Sequence, residues 1–229
     1  MVDPSNVKVL VACEESQAVC TAFRKRGFDA WSCDIVECSG GHPEWHFQQD
    51  CIPIVNSGKW DLVIAHPPCT YLCNSGNRHF NVETYGEKAV ERMRRRDAGA
   101  DFFMMFTRIP CDHWAIENPI GCMSTRFRKP DQVIQPYQFG HPTRKSTCLW
   151  LKGLPKLVPT NVVEPVTYTY VAKDGRIRTD CRERCSGKKA DWARIRSRTF
   201  DGIAEAMADQ WGRHILAAKN AGDGNHGAD

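Results

Sequence analysis

Cys69 closes the run Asp61–Cys69 (DLVIAHPPC), where an apolar stretch of strand type stops at His66-Pro67-Pro68 and delivers a thiol. Proline lacks an N–H and has a locked φ, so it ends a β-ladder and fixes the backbone that aims the sulfur. A second stretch, Asp112–Ile116 (DHWAI), leads into Glu117-Asn118-Pro119. A thiolate can bond covalently to an electron-poor carbon. A carboxyl group on the same edge can stabilise the charge that this addition creates. Any one of twelve Cys residues is by default a small buried hydrophobe, and a lone Glu-Asn-Pro is by default a cap or turn. Placement at the ends of neighbouring predicted strands singles this pair out.

The elements that must position them follow from periodicity. Val7–Ala12 (VKVLVA) reads as a strand, followed by polar Glu14-Glu15-Ser16 and a helical pattern through Arg26 that Gly27 stops. Phe28–Ile35, Trp60–Ala65 and Asp112–Ile116 are the next strands, and a long helix runs from about Glu87 to Ile109, before Pro110. Strands alternating with helices predict an α/β fold with a doubly wound, mostly parallel sheet, whose ligands sit beyond the carboxyl ends of the strands. Beyond Pro130, Val133–Phe139, Thr147–Leu151 and Val166–Ala172 are β-rich, the last leading through Lys173-Asp174-Gly175 into Ile177. Thr199–Ala218 has helical spacing in Ile203, Met207, Trp211 and Ile215. The expected division is a core over 1–153, a small β-rich and basic insert over 154–198, a closing helix over 199–219 and a Gly/Asp-rich disordered tail over 220–229.

With these motifs in order, the chain resembles cytosine-C5 DNA methyltransferases. DLVIAHPPC is similar to the family's strand ending in a Pro-Cys nucleophile, and AIENP to its Glu-Asn turn. FGHPTRKSTCLWLKG (Phe139–Gly153) is similar to its later Gly-x-Pro segment, and TFDGIAEAMADQWGRH (Thr199–His214) to its closing helix. The resemblance implies a class I methyltransferase type of sheet with a small β-rich appendage, S-adenosylmethionine as cofactor and DNA as partner, the target cytosine being flipped out of the duplex. It implies Cys69, Glu117, Arg144 and Lys145 as catalytic residues. Ala12, Glu14, Asp34, Asp50 and Pro67 would face the cofactor, Asp34 at its ribose and Asp50 near its adenine. Pro68, Asn118, Pro119 and Thr143 would face the substrate. The chain departs from the family where its Gly-rich first loop becomes Ala12-Cys13-Glu14-Glu15-Ser16-Gln17, where Thr70 replaces a Gln, and where Thr143-Arg144-Lys145-Ser146-Thr147 replaces a Gln-x-Arg-x-Arg pattern.

These departures keep further alternatives open: another one-carbon donor, or RNA, single strands or nucleotides as substrate. A third compares His66-Pro67-Pro68-Cys69 to the Pro-Pro loop of amino-methyltransferases, and a fourth is a non-catalytic nucleic-acid-binding fold. A net charge of +4 permits a polyanionic partner without demanding one. No apolar run reaches the ~20 residues of a membrane span and no export signal opens the chain, so a cytoplasmic protein with reduced thiols is expected. Cys33, Cys38, Cys181 and Cys185 match no zinc spacing, so no metal is expected. Arg92, Arg94, Arg95 and Arg96 on the long helix, and the basic stretch Arg176–Arg198, are candidates for phosphate contact or simply solvated faces.

Overall fold

The computed structural model describes residues 1–172, 174–180 and 198–223. Among the described residues, seven strands form one sheet: β1 (Lys8–Ala12), β2 (Asp29–Asp34), β3 (His46–Gln48), β4 (Leu62–Ala65), β5 (Trp114–Pro119), β6 (Gln132–Ile134) and β7 (Thr147–Lys152). Their order is β3-β2-β1-β4-β5-β7-β6. The pairs from β3 through β5 are parallel, whereas β7 runs antiparallel to both β5 and β6.

Alternation along the strands divides the core. Val9, Val11, Leu62, Ile64, Ala115 and Leu149 face one side, covered by α1 (Ala18–Arg24) and the long carboxyl-terminal helix. Leu10, Val63, Ala65, Trp114, Ile116 and Trp150 face the other, against α2 (Cys51–Val55) and the buried end of a twenty-residue helix. Successive side chains of a strand point to opposite faces, so strands buried on both faces read as the continuous apolar runs seen in the sequence. The architecture is therefore α/β and Rossmann-like, with a mostly parallel mixed sheet.

The remaining helices among the described residues are α3 (Val82–Tyr85), α4 (Glu87–Phe106), α5 (Met123–Arg126) and the carboxyl-terminal α6 (Asp201–Asp223). The stripe Ile203, Met207, Trp211 and Ile215 of α6 is buried in the α1 side of the core. Gly212 permits its close approach, since a Cβ there would stand 2.7 Å from the Phe28 ring. The helix continues through Asn220 to Asp223, where the composition suggested that the tail had begun, and the rest of that tail lies outside the described residues.

Other boundaries also move. The expected strand Val133–Phe139 is confined to β6, because Pro136 opens a single turn of 3₁₀ helix. β4 begins at Leu62 rather than Trp60, and α4 ends at Phe106. The largest shift concerns Glu117-Asn118-Pro119, expected as a turn. These residues are the last three of β5, held straight by pairing with Leu149, Cys148 and Thr147 of β7. An antiparallel neighbour carries β5 past the end of β4. β8 (Tyr168–Val171) and β9 (Ile177–Asp180) make a separate hairpin, matching the turn expected around Gly175. Most of the basic stretch, with Cys181 and Cys185, lies outside the described residues.

Candidate active site

Strand order reverses between β1 and β4, and a doubly wound sheet opens a crevice at the carboxyl ends of the strands on either side of such a point. An open pocket of about 290 Å³ lies there. Its walls are Cys13 to Ser16 after β1, Asp34 at the end of β2, His66 to Thr70 after β4, Glu117 to Pro119 on β5, and Lys145, Arg198 and Thr199 from later in the chain. Cys69 and Glu117, 48 positions apart by subtraction, thus share one cavity.

Strand register explains a further meeting. β4 and β5 pair Ala65 with Ile116, so the next residues on each, His66 and Glu117, leave the sheet side by side. Nδ1 of His66 lies 3.2 Å from Oε2 of Glu117, with side chains only 11% and 19% exposed. Burial alone would lower the His66 pKa, but the hydrogen bond and charge of Glu117, aided by Glu14 and opposed by Lys145, raise it. Burial alone would raise the Glu117 pKa. The hydrogen bond and charge of His66, with Lys145, lower it. Each group thus favours the charged form of the other, imidazolium beside carboxylate, across a largely buried contact. From the sequence, His66 reads as a strand terminator and as part of a Pro-Pro loop like that of amino-methyltransferases. The signal that could have found it was strand parity, which places it on the same face as Glu117.

Cys69 is half-buried, and burial first, then Glu117 and Cys73, push its thiol pKa up, while Lys145 pulls it down. Its loop is clamped from three sides. Asn118 donates through Nδ2 to the Pro67 carbonyl at 2.7 Å from a buried position, so its side chain holds the Pro-Pro turn. Cys122 N–H donates to the Leu72 carbonyl at 2.9 Å and Asn74 N–H to Ile120 at 3.2 Å, tying the loop to the segment after β5. A Cβ on Gly121 would stand 2.1 Å from the Leu72 oxygen, so only glycine permits that approach. From α4, Arg96 donates to the Tyr71 carbonyl at 3.0 Å and to Asn77 at 2.7 Å, while Arg95 meets the Tyr71 hydroxyl at 3.0 Å. Arg92 lies over the Tyr71 ring. These arginines brace the loop that follows Cys69, whereas Arg94 is an exposed partner of Glu91.

The loop after β1 has the backbone of a glycine loop without glycines: Cys13 and Gln17 adopt φ of 59° and 55°, in the left-handed region. Buried Gln17 is held by hydrogen bonds to Ser32 and to both backbone groups of His42. Glu14 is buried, and its carboxylate accepts from Val19 N–H at 2.7 Å and Cys20 N–H at 3.1 Å, capping the start of α1. Burial is the largest influence on Glu14 and pushes its pKa up. Asp34 lines the pocket and accepts from Val36 N–H. Asp50 does not line it. Its side chain caps α2 by accepting from Ile52 N–H at 2.9 Å. Ala12 is wholly buried beneath the pocket, its carbonyl accepting from His66 N–H.

Pro67, Pro68 and Pro119 contribute to the walls. Thr143 is buried outside the pocket's lining, and Arg144 is exposed, over the Tyr137 ring at 5.7 Å. Of the two basic candidates, Lys145 reaches the pocket. Arg198 joins it from the end of the basic stretch, and composition gave no means of separating that residue from its neighbours. No helix among the described residues is long and apolar enough to cross a membrane. Compared with known proteins, the chain matches no protein-family model, and no curated protein matches it.

Proposed function

We propose that this protein is a transferase that modifies C5 of cytosine in DNA through a covalent Cys69 adduct at C6, with a methyl group from S-adenosylmethionine, on a sheet of the class I methyltransferase type. The observation that carries this reading is the convergence of Cys69, Glu117, Lys145 and Asp34 on one pocket at the strand-order switch point. The doubly wound order of the sheet is compatible with that type.

C5 of cytosine is a poor nucleophile while the ring stays aromatic. Addition of the Cys69 thiolate to C6 breaks conjugation and moves electron density through C4 onto N3, leaving an enamine whose C5 can attack an electrophile. Glu117, once it carries a proton, would stabilise charge at N3, and Lys145 in the same pocket favours the thiolate. Water then takes the C5 proton, the C5–H pair re-forms the C5=C6 bond, and the sulfur leaves with the S–C6 pair. The base must leave the stack to reach such a pocket, and Lys145 and Arg198 in its walls would supply cationic groups for the attached phosphates.

S-adenosylmethionine, when bound, supplies an electrophilic methyl carbon. Asp34 would accept from its ribose hydroxyls. The acidic residues Glu15 and Asp34 in the pocket wall fit a cationic group. A second reading keeps the Cys69 chemistry with a different one-carbon donor, and Glu14 favours it: a side-chain carboxylate already fills the start of α1. Incubating the protein with cytosine-containing DNA and each donor, then identifying nucleosides by mass, tests both. A modified cytosine made by wild type and lost in Cys69→Ser supports the reading; equal product from Cys69→Ser rejects it.

A further inference from the structure

We propose that the proton delivered to the cytosine ring is held by the buried His66–Glu117 pair as a unit, with His66 as the positioning residue that recharges Glu117. The inference rests on the covalent Cys69 reading and adds a residue which that reading leaves without a role.

The geometry supports it in three ways. Register extends from Ala65–Ile116 to His66–Glu117, so the contact is built by strand pairing rather than by flexible side chains. Both groups line the Cys69 pocket while remaining largely shielded, and water competes poorly for a proton shared in such a place. Nε2 of His66 is fully shielded and makes no hydrogen bond among the described residues, so the Glu117 contact is the polar anchor of the ring there. Three charged groups face this imidazole: Glu117 from β5, Glu14 from the loop after β1, and Lys145 from the loop before β7. Two carboxylates against one ammonium favour an imidazolium.

The chemistry needs such a reservoir. Glu117 on its own, held as a carboxylate, has no proton to give. In the proposed step the Cys69 thiol first loses its proton to water. The thiolate pair then forms the S–C6 bond, the C5=C6 pair moves to C4–C5, and the C4=N3 pair moves onto N3. Glu117 takes the proton of Nδ1 of His66 and passes it on to N3. The pair goes from imidazolium–carboxylate to imidazole–carboxylate, and recovers the proton when the sulfur leaves.

Exchange of the C5 hydrogen of cytosine with solvent, followed in DNA without any donor, reads this step independently of donor identity. The Cys69 thiolate fraction grows with pH, so the wild-type rate should climb while His66 is an imidazolium and level off as pH passes through the His66 pKa, which lies above the ordinary imidazole value near 6.5, the Cys69 thiol being pushed up as well. His66→Gln should lower the neutral-pH rate by about a hundredfold, the lower end of what a positioned acid contributes. It should also remove that levelling, the rate climbing on with pH, and leave the dissociation constant for the same DNA unchanged. An equal loss at every pH with the levelling retained would make His66 merely structural and overturn the proposal, as would an unchanged rate. NMR titration of His66 in the wild type needs no variant, and an imidazole that does not titrate where the rate levels off would also overturn it. If the wild type shows no Cys69-dependent exchange, the covalent reading fails as well, an outcome distinct from an active enzyme indifferent to His66.

Discussion

Replacing Glu117 with Gln should make the protein lose stability on acidification through the mildly acidic range, where the wild-type pair holds its full contribution. In the wild type the His66 pKa is raised, so its contribution to stability is fully present below about 6.5 and is lost as pH climbs through the folded value. The Glu117 pKa is lowered, so its contribution is present above about 4.5 and is lost as pH falls through the folded value. The pair therefore stabilises most between those limits. In Glu117→Gln the imidazole keeps its burial and loses its main partner, although Glu14 remains. Below about 6.5 the unfolded variant then takes up a proton that the folded variant resists, costing about 1.4 kcal/mol per pH unit at the limit. The stability gap should therefore widen by up to about 1.4 kcal/mol between about pH 6.5 and 5.5, and the wild-type gain on descending from alkaline pH widens it in the same direction. For a chain of this size that is about 3–6 °C in Tm. Paired melts of both proteins, by circular dichroism at matched ionic strength, measure it. A gap that stays constant, or narrows with acid, would refute the ion pair as described.

Other consequences follow from the same framework. Gly121→Ala places a methyl group against the Leu72 carbonyl, and overpacking of that kind costs about 1–3 kcal/mol; urea titration should show the loss, and a midpoint equal to wild type would contradict the close approach. Arg96→Ala removes bonds to Tyr71 and Asn77. Amide hydrogen exchange should therefore quicken at Leu72 and Cys73, with β1 amides unchanged. Calorimetry with S-adenosylmethionine should show binding that weakens by about 1–2 kcal/mol in Asp34→Ala, the scale of a lost hydrogen bond. No binding by the wild type would favour the alternative donor.

Much of the frame was legible in the residues because it depends on local rules. Proline placement ended β4 at the right edge, apolar runs located β1, β2, β4, β5 and β7, and helical spacing found α4 and α6. Cys69 and Glu117 could be paired in advance because strand ends in a doubly wound sheet share an edge. What the sequence could not express is which partner claims a polar group. Asp34 and Asp50 both lie near the edge of a strand, yet one faces the pocket and the other caps α2. Glu14 closes the start of α1, Asn118 holds the Pro67 carbonyl, and Arg96 is committed to the Cys69 loop. The His66–Glu117 pair depends on the register between β4 and β5, and on the antiparallel β7 that keeps Glu117 in a strand. Local propensity sets where the chain turns; register, decided by packing on both faces of the sheet, sets which side chains meet.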